Sequence, residues 1–324
     1  MADTSVRAAH ITEEAIERRI RAEYRRAQKE LDERIKEFAE AHAKRDEKYR
    51  ALVKAGKMEQ EDYEAWLRGQ VFQSEQWKQM RESISRTLYK ADVSAQKIVN
   101  NERGNIFEQS ANHTLYDLEH EKGVTFGFNL YDQKTVAKIL RDQPTLLPPK
   151  KIAEAKDIAW YKSKIDSVVT QSILMGDGIG RIAGRVGEYT GEQSRTAMLR
   201  NARTAMTSAH SAGKLEAMQD MKSKGIDVKK RWVATLDMKT RDAHADLDGV
   251  EVDPDEPFHT PYGDIDYPGD PNANPCLVYN CRCMLFSIFG KYPTSYTRRD
   301  MNGEMVKDMT YREWEAAHGY GKKN

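Results

Sequence analysis

Apolar residues fall on a helical repeat over most of the first two thirds of the chain, and the repeat fails near the end. Across residues 12–55, Ile16, Ile20, Tyr24, Ala27, Leu31, Ile35, Phe38 and Leu52 recur at spacings of three, four or their multiples, with charges of both signs between them. That is one apolar stripe on a long helix. The stripe is too thin to bury itself, so it needs a partner helix from this chain or from a neighbour. Thr12 reads as the N-cap, with Glu13 and Glu14 suited to the helix dipole, and Ala55-Gly56-Lys57 reads as the stop. A second helical stretch runs from Glu59 to Glu119, with Trp66, Phe72, Trp77, Met80, Ile84, Leu88, Val93 and Ile98 on its buried side. Gly69 and Gly104 are its candidate breaks, and the two stretches together predict a helical hairpin or stalk.

At Gly123 to Phe128 alternation and glycine replace the helical spacing, which predicts a short extended connection and a domain boundary. Tyr131 to Arg141 reads as a short helix, followed by a stiff linker at Gln143-Pro144 and Leu147-Pro148-Pro149. From Ile152 to Lys224 the helical pattern returns. Ile158, Ile165, Val168, Val169, Ile173 and Leu174 form a face that ends at Met175-Gly176. The glycine-rich run from Gly176 to Arg185 lacks the Lys-Ser/Thr of a phosphate loop and a flanking βαβ unit, so it predicts a helix–turn–helix connection. Thr190-Gly191-Glu192-Gln193 fits a capping box for the next helix, whose Ala202, Ala209 and Ala212 permit close packing. Gly225 ends it.

Candidate chemistry gathers between Arg231 and Phe289. This stretch opens with a strand-like RWVAT and closes with a strand-like RCMLFSIF, and the prolines, glycines and acids between them exclude a long helix. All three cysteines lie in it, with His244 and His259. Cys281 and Cys283 are two apart, so on a strand both thiols face one side. His244 with Cys276 or His259 completes a tetrahedral set of the kind zinc takes. The other reading makes the cysteines small buried residues and gives His244 a hydrogen bond to an acid. A Cys281–Cys283 disulfide is disfavoured by its geometry. Asp237, Thr240, Arg241 and His244 form a polar cluster. It reads either as an Arg–Asp ion pair that pins the loop or as a catalytic His244 partnered by Asp248. Trp232 reads as core and Asp248-Gly249 as a turn. After Lys291 comes a tail, with a capping box at Thr310-Tyr311-Arg312-Glu313 opening a short helix that would bury Trp314.

Composition sharpens this picture. The 324 residues suffice for two domains, and 32% charged against 39% hydrophobic residues places the excess charge on long exposed helices or a partner-dependent segment. The net charge of +1 makes the whole chain no magnet for nucleic acid. Between Arg231 and Gly290, eleven Asp and Glu stand against four Lys and Arg, so any DNA contact falls to the helical parts. No apolar run has transmembrane length, and MADTSVRAAHITEE has no secretory apolar core. An odd, clustered set of cysteines predicts reduced thiols in a cytosolic setting.

Trp232, Asp237, Thr240-Arg241, His244, Asp248-Gly249, Phe258, Tyr267-Pro268-Gly269-Asp270-Pro271 and Asn280-Cys281-Arg282-Cys283 follow one another in fixed order. That order resembles the C-terminal domain of the phage Mu F-like minor head proteins, the head morphogenesis family of tailed bacteriophages. The resemblance extends more weakly through Asn201-Ala202-Arg203-Thr204 to about Gly123. Cys276 lies outside the family pattern; His244, Cys281 and Cys283 lie inside it. The expected fold is α+β: a helical stalk or arm at 1–122, a helical middle at 123–225, a compact domain with a small β-sheet at 226–290, and a tail with a short helix at 291–324. The resemblance implies a minor capsid protein at the portal vertex, acting in head assembly and DNA delivery without bond chemistry. Its implied partners are the portal protein and other head proteins, with phage DNA reached through the helical region and no membrane. Its implied place is the virion, and the host cytoplasm during assembly. The competing expectations are a metal-dependent hydrolase or nuclease, a toxin-like enzyme using His244 and the cysteine site, or a DNA-binding protein. The expected metal ligands are His244, Cys281, Cys283 and Cys276, with zinc as the ion.

Overall fold

A computed structural model describes residues 4–123, 129–148, 153–290, 297–307 and 309–318. The first apolar stripe forms one helix, α1 (Thr4–Lys54). It begins upstream of Thr12, because residues 4–11 hold no glycine or proline to stop it; Thr12 is helix interior and not the cap. Its end is as expected. Gly56 takes φ 64°, the Lys57 amide donates to the Leu52 carbonyl and the Gly56 amide to the Val53 carbonyl, which closes a Schellman cap.

The second stretch forms α2 (Gln60–Arg68), one π-helical turn (Gly69–Gln73) and α3 (Glu75–Lys122). The wide turn rotates the buried face, so Val71 is buried and Phe72, expected inside, is exposed. Gly104 is no break. α3 runs through it and keeps burying Ile106, Phe107, Ala111 and Leu115. The connection expected after Gly123 lies largely outside the described residues. α4 (Gln133–Asp142) is capped by Asp132, whose carboxylate accepts from the Thr135 amide at 2.7 Å. α5 (Glu154–Leu174) and α6 (Ile179–Ser223) are joined by the turn at Gly176, although Leu174 faces solvent and not the core. The capping box expected at Thr190 is absent. The Thr190 hydroxyl instead bonds back to the Val186 carbonyl inside α6. Gly187 and Gly191, which look like turn residues, are contact points: a Cβ on Gly191 would lie 2.0 Å from Gln28 Oε1.

Two compact units interleave along the chain. One, residues 18–98 and 150–199, is wholly helical among the described residues. Leu31, Ile35 and Phe38 of α1 pack there with Trp77, Ile84 and Leu88 of α3, Ile165 and Val169 of α5, and Ile182 and Val186 of α6. The stripe on α1 thus finds its partners within this chain. The hydroxyls of Tyr24 and Tyr161 both donate to the Asp92 carboxylate, and Arg81 grips Asp166 with two bonds of 2.7 and 2.8 Å.

The other unit comprises residues 1–17, 99–149 and 200–324. After α6 the chain turns at Gly225 and enters β1 (Val228–Val233). β1 lies between β2 (Glu251–Val252) and β5 (Met284–Phe289) in an antiparallel sheet, registered from Val228↔Phe289 to Val233↔Met284. A short helix, α7 (Asp242–Leu247), follows β1. A hairpin of β3 (Phe258–Thr260) and β4 (Gly263–Ile265) fills the acidic loop, and α8 (Pro275–Val278) leads back towards β5. Both strand-like ends of the stretch are therefore strands, and the architecture is α+β.

The tail is more than a short helix. β6 (Thr297–Arg299) and β7 (Met305–Lys307) form a hairpin, followed by α9 (Tyr311–Ala317) with the expected Thr310/Glu313 capping box. Val306, Tyr311 and Trp314 pack with Leu236 and Ala245 in one buried cluster. Asp248 is the polar anchor of this clasp. Its buried carboxylate accepts from the Ala234 amide at 2.7 Å, from the Tyr311 amide, and from the Arg298 guanidinium at 2.8 Å.

Five of the six residues of β1 are buried, Lys230 among them. Its ammonium donates to the Asp266 carbonyl at 2.9 Å and sits 5.2 Å from the Phe258 ring centre. Burial pushes the Lys230 ammonium down to about 8, against the opposing pull of Asp266, Asp255, Asp270 and Glu256.

Three outcomes are expected from melts of purified variants. Gly104→Ala adds a methyl to open space and stabilises α3 by about 0.5–1 kcal/mol, whereas Gly213→Ala places a Cβ 2.3 Å from the Phe107 carbonyl oxygen and lowers stability. Equal shifts of the same sign would contradict this packing. Asp248→Ala strands a largely buried Arg298 and costs on the order of 3 kcal/mol. Asp246→Ala, which removes an exposed partner of Arg312, costs under about 1 kcal/mol. Finally, between pH 8 and the ordinary lysine value of 10.5 the unfolded chain holds a proton on Lys230 that the folded chain has lost. Stability of the native protein therefore rises with pH in that window relative to Lys230→Met, by roughly 3 kcal/mol across it. Parallel pH profiles for the two proteins would show that Lys230 keeps its charge inside.

Candidate metal centre

His244 lies in the six-residue helix α7, which Arg241 enters in extended backbone. Cys281 and Cys283 lie in the segment between α8 and β5. They precede the strand that was expected to carry them, yet they meet at one point. Cys281 Sγ is 3.6 Å and Cys283 Sγ 3.4 Å from the same atom, His244 Nδ1. All three side chains are buried, and their ligand atoms lie within 4.8 Å of one another.

The loop is placed by clamps on its backbone. Asn280 takes the left-handed region at φ 57°, which an asparagine tolerates, and its amide donates to Thr204 Oγ1 at 2.8 Å. The Tyr279 carbonyl accepts from Arg241, the Cys281 carbonyl from Thr207 at 3.1 Å and the Arg282 carbonyl from Thr235 at 2.8 Å. The Arg282 side chain grips Asp237, whose carboxylate also accepts from the Lys239 amide and the Thr240 hydroxyl. Burial opposes it, but these donors, Arg282 first among them, hold Asp237 below the usual carboxylate range. The ion pair expected to pin this loop exists with Arg282 as its cation. Arg241 instead holds the Tyr279 carbonyl.

The imidazole is fixed from the other side. The Trp232 ring meets His244 edge-on at 5.3 Å and meets Phe258 in the same manner at 5.3 Å. His244 Nε2 is buried and meets no hydrogen-bond partner among the described residues. Asp248, considered as a catalytic partner for His244, is committed to Ala234, Arg298 and Tyr311. Cys276 is exposed at the start of α8 and stands outside the cluster. His259 is also exposed, where it pairs with Asp264 at 2.7 Å. The expected ligand set thus divides: His244, Cys281 and Cys283 come together, while Cys276 and His259 do not.

The two thiols differ in electrostatics. Donation from the Cys283 thiol draws the Cys281 sulfur below its ordinary value, with Arg241 and Arg282 adding to the effect. Burial first, and then the neighbouring sulfur, push Cys283 well up. A pocket of about 170 Å³ opens beside the cluster, lined among others by Arg203, Lys239, Thr240 and Asn280. A second cluster, Asp300 with Glu304 and His318, is less suited to an ion, because Asp300 already accepts from the amides of Asn302 and Glu304 and from Trp314 Nε1. Sequence patterning missed the threonine clamps. Thr207 and Thr235 carry no signature, and Thr204, which lies in the Asn201–Thr204 run, shows its role only where the left-handed turn at Asn280 brings the amide to its hydroxyl.

Residues 163–286, which span most of α5 through the early part of β5 and include all three clustered side chains, match the family model described as Phage Mu protein F like protein. The minor head protein GP7 of Bacillus phage SPP1 is 28% identical over 211 residues, covering 62% of this chain and 66% of that protein. An NAD(+)–arginine ADP-ribosyltransferase, EFV, of Enterococcus faecalis is 26% identical over 216 residues, covering 64% of this chain and 42% of that protein. The chain therefore spans just under two thirds of the first relative and under half of the second. No solved structure matches it. Over residues 163–286 this chain is similar to the phage Mu F-like proteins.

Proposed function

We propose that this chain is a minor head protein of a tailed bacteriophage that docks at the portal vertex and acts in head assembly and DNA delivery. The observation that carries the reading is the Mu F-like match over residues 163–286, together with the likeness to a protein named as a minor head protein. The work is scaffolding and docking. α1, α3 and α6, each 45 residues or longer, present long charged faces that suit contact with other head proteins. The acidic stretch between Arg231 and Gly290 repels phosphate, so contact with DNA falls to the helical region. No helix among the described residues is long and apolar enough to cross a membrane. The protein works in the virion head, and in the host cytoplasm while heads assemble.

The likeness to an ADP-ribosyltransferase covers less than half of that enzyme. Under the present reading the shared part is the head-protein part, and sugar transfer belongs to the remainder. Co-expression of tagged chain with the portal protein of the same genome is expected to yield a complex that survives gel filtration. Purified heads are expected to show the chain at the portal vertex, and deletion to give heads that deliver DNA poorly. Full infectivity after a clean deletion would remove the proposal. Nicotinamide release from NAD by the purified chain, abolished in His244→Ala, would replace it with an enzyme.

A further inference from the structure

We propose that His244, Cys281 and Cys283 bind one zinc ion, leaving its fourth tetrahedral position to an exogenous ligand that enters from the adjoining pocket. The centre does not depend on the head role, and its fate is read separately.

Two sulfurs converge on one nitrogen, at 3.6 and 3.4 Å. Nδ1 of a neutral imidazole has either one lone pair or one proton, so it serves one thiol well and not two. A shared cation resolves that conflict. In a tetrahedral zinc site with Zn–S of about 2.3 Å and Zn–N of about 2.05 Å, the sulfur and nitrogen ligands stand about 3.6 Å apart. The observed separations match that edge before any ion is placed. Two thiolates and an imidazole also form a soft set that favours zinc over calcium or magnesium.

The scaffold is built to hold the set still. The three side chains are buried. The carbonyls at Tyr279, Cys281 and Arg282 are each clamped by a side chain from another element, and the Trp232 ring backs the imidazole. These contacts fix the loop bearing both sulfurs against the helix bearing the nitrogen, which is the preorganisation a metal site needs.

The coordination is incomplete from the protein side. Structural zinc takes four protein ligands, whereas three leave an open position. Cys276 is exposed and outside the cluster, so it does not supply the fourth. A pocket lined by Arg203, Lys239, Thr240 and Asn280 opens at the cluster. Arg203 is held by Glu13 and Glu17 and Arg282 by Asp237, while Lys239 and Arg241 also line the pocket and suit it to a small anionic donor. A water, or a small donor supplied from outside, fits the remaining position.

The test uses full-length protein purified without chelator or added metal. Elemental analysis is expected to find about one zinc per chain, retained in Cys276→Ser and lost in Cys283→Ser and His244→Ala. Cobalt exchanged into the wild-type protein is expected to give the intense visible bands of a tetrahedral thiolate site, and azide is expected to shift them by occupying the open position. Absence of zinc together with failure to take up cobalt overturns the site, and stoichiometric iron or copper overturns the choice of ion. Loss of zinc in Cys276→Ser overturns the three-ligand arrangement, and cobalt bands unmoved by azide overturn the open position. Should the Cys283 and His244 variants fail to fold, wild-type zinc content and the cobalt spectrum still decide.

Discussion

The pairing of β1 with β5 is the constraint on which the mixed unit rests. Six consecutive residues of each strand are in register, ending at Val233↔Met284. Everything between them, about fifty residues with few regular hydrogen bonds, is a loop whose two ends that ladder holds together. Closing a loop of this length costs entropy that local structure does not return. The ladder and its buried Trp232 return it, and only then do the segment after β1 and the segment before β5 become neighbours. Asp237 reaches Arg282, Thr235 reaches the Arg282 carbonyl, and His244 reaches two sulfurs, because Val233 and Met284 are side by side. A one-residue slip would turn every side chain of β5 to the other face and carry the cysteines away from the imidazole.

Much of this was legible in the residue pattern, for identifiable reasons. The stripe of Ile20, Leu31 and Phe38 repeats with helical period, and period is set by the backbone alone, so α1 follows from it. RWVAT and RCMLFSIF are rich in β-branched and aromatic residues and flanked by turns; residues 231–233 of the first lie in β1, and Met284–Phe289 of the second forms β5. His244, Cys281 and Cys283, grouped by the resemblance, also meet in space. The failures have equally local causes. Glycine breaks an exposed helix but also sits within one, and Gly104 and Gly191 lie inside helices where a break and a capping box were expected. A π turn shifts the buried face by one residue, which exchanged Phe72 for Val71. Strands of three residues carry too few positions to show a period, so the β6–β7 hairpin was invisible.

Cys276 shows where proximity in sequence misleads. It is five residues from Cys281, yet Asn274 caps α8 at that point and Cys276 faces solvent. His244 is thirty-seven residues from Cys281 and touches it. Ligand sets are decided by which backbone segments the sheet makes adjacent. Spacing alone speaks for residues on one strand or one helix, and this cluster draws on two separate elements.

The clasp on Asp248 has a consequence for the order in which this unit comes into being. Arg298 and the Tyr311 amide are made fifty and more residues after the carboxylate they satisfy. β1 and α7 are made before β5, the hairpin and α9, and until those segments follow, Asp248 has its Ala234 amide but not its guanidinium. A buried acid without its cation favours water, so this part of the sheet stays loose until the hairpin arrives. The unit therefore completes after synthesis has passed the hairpin and α9, and until then the nascent chain exposes apolar surface that chaperones would recognise.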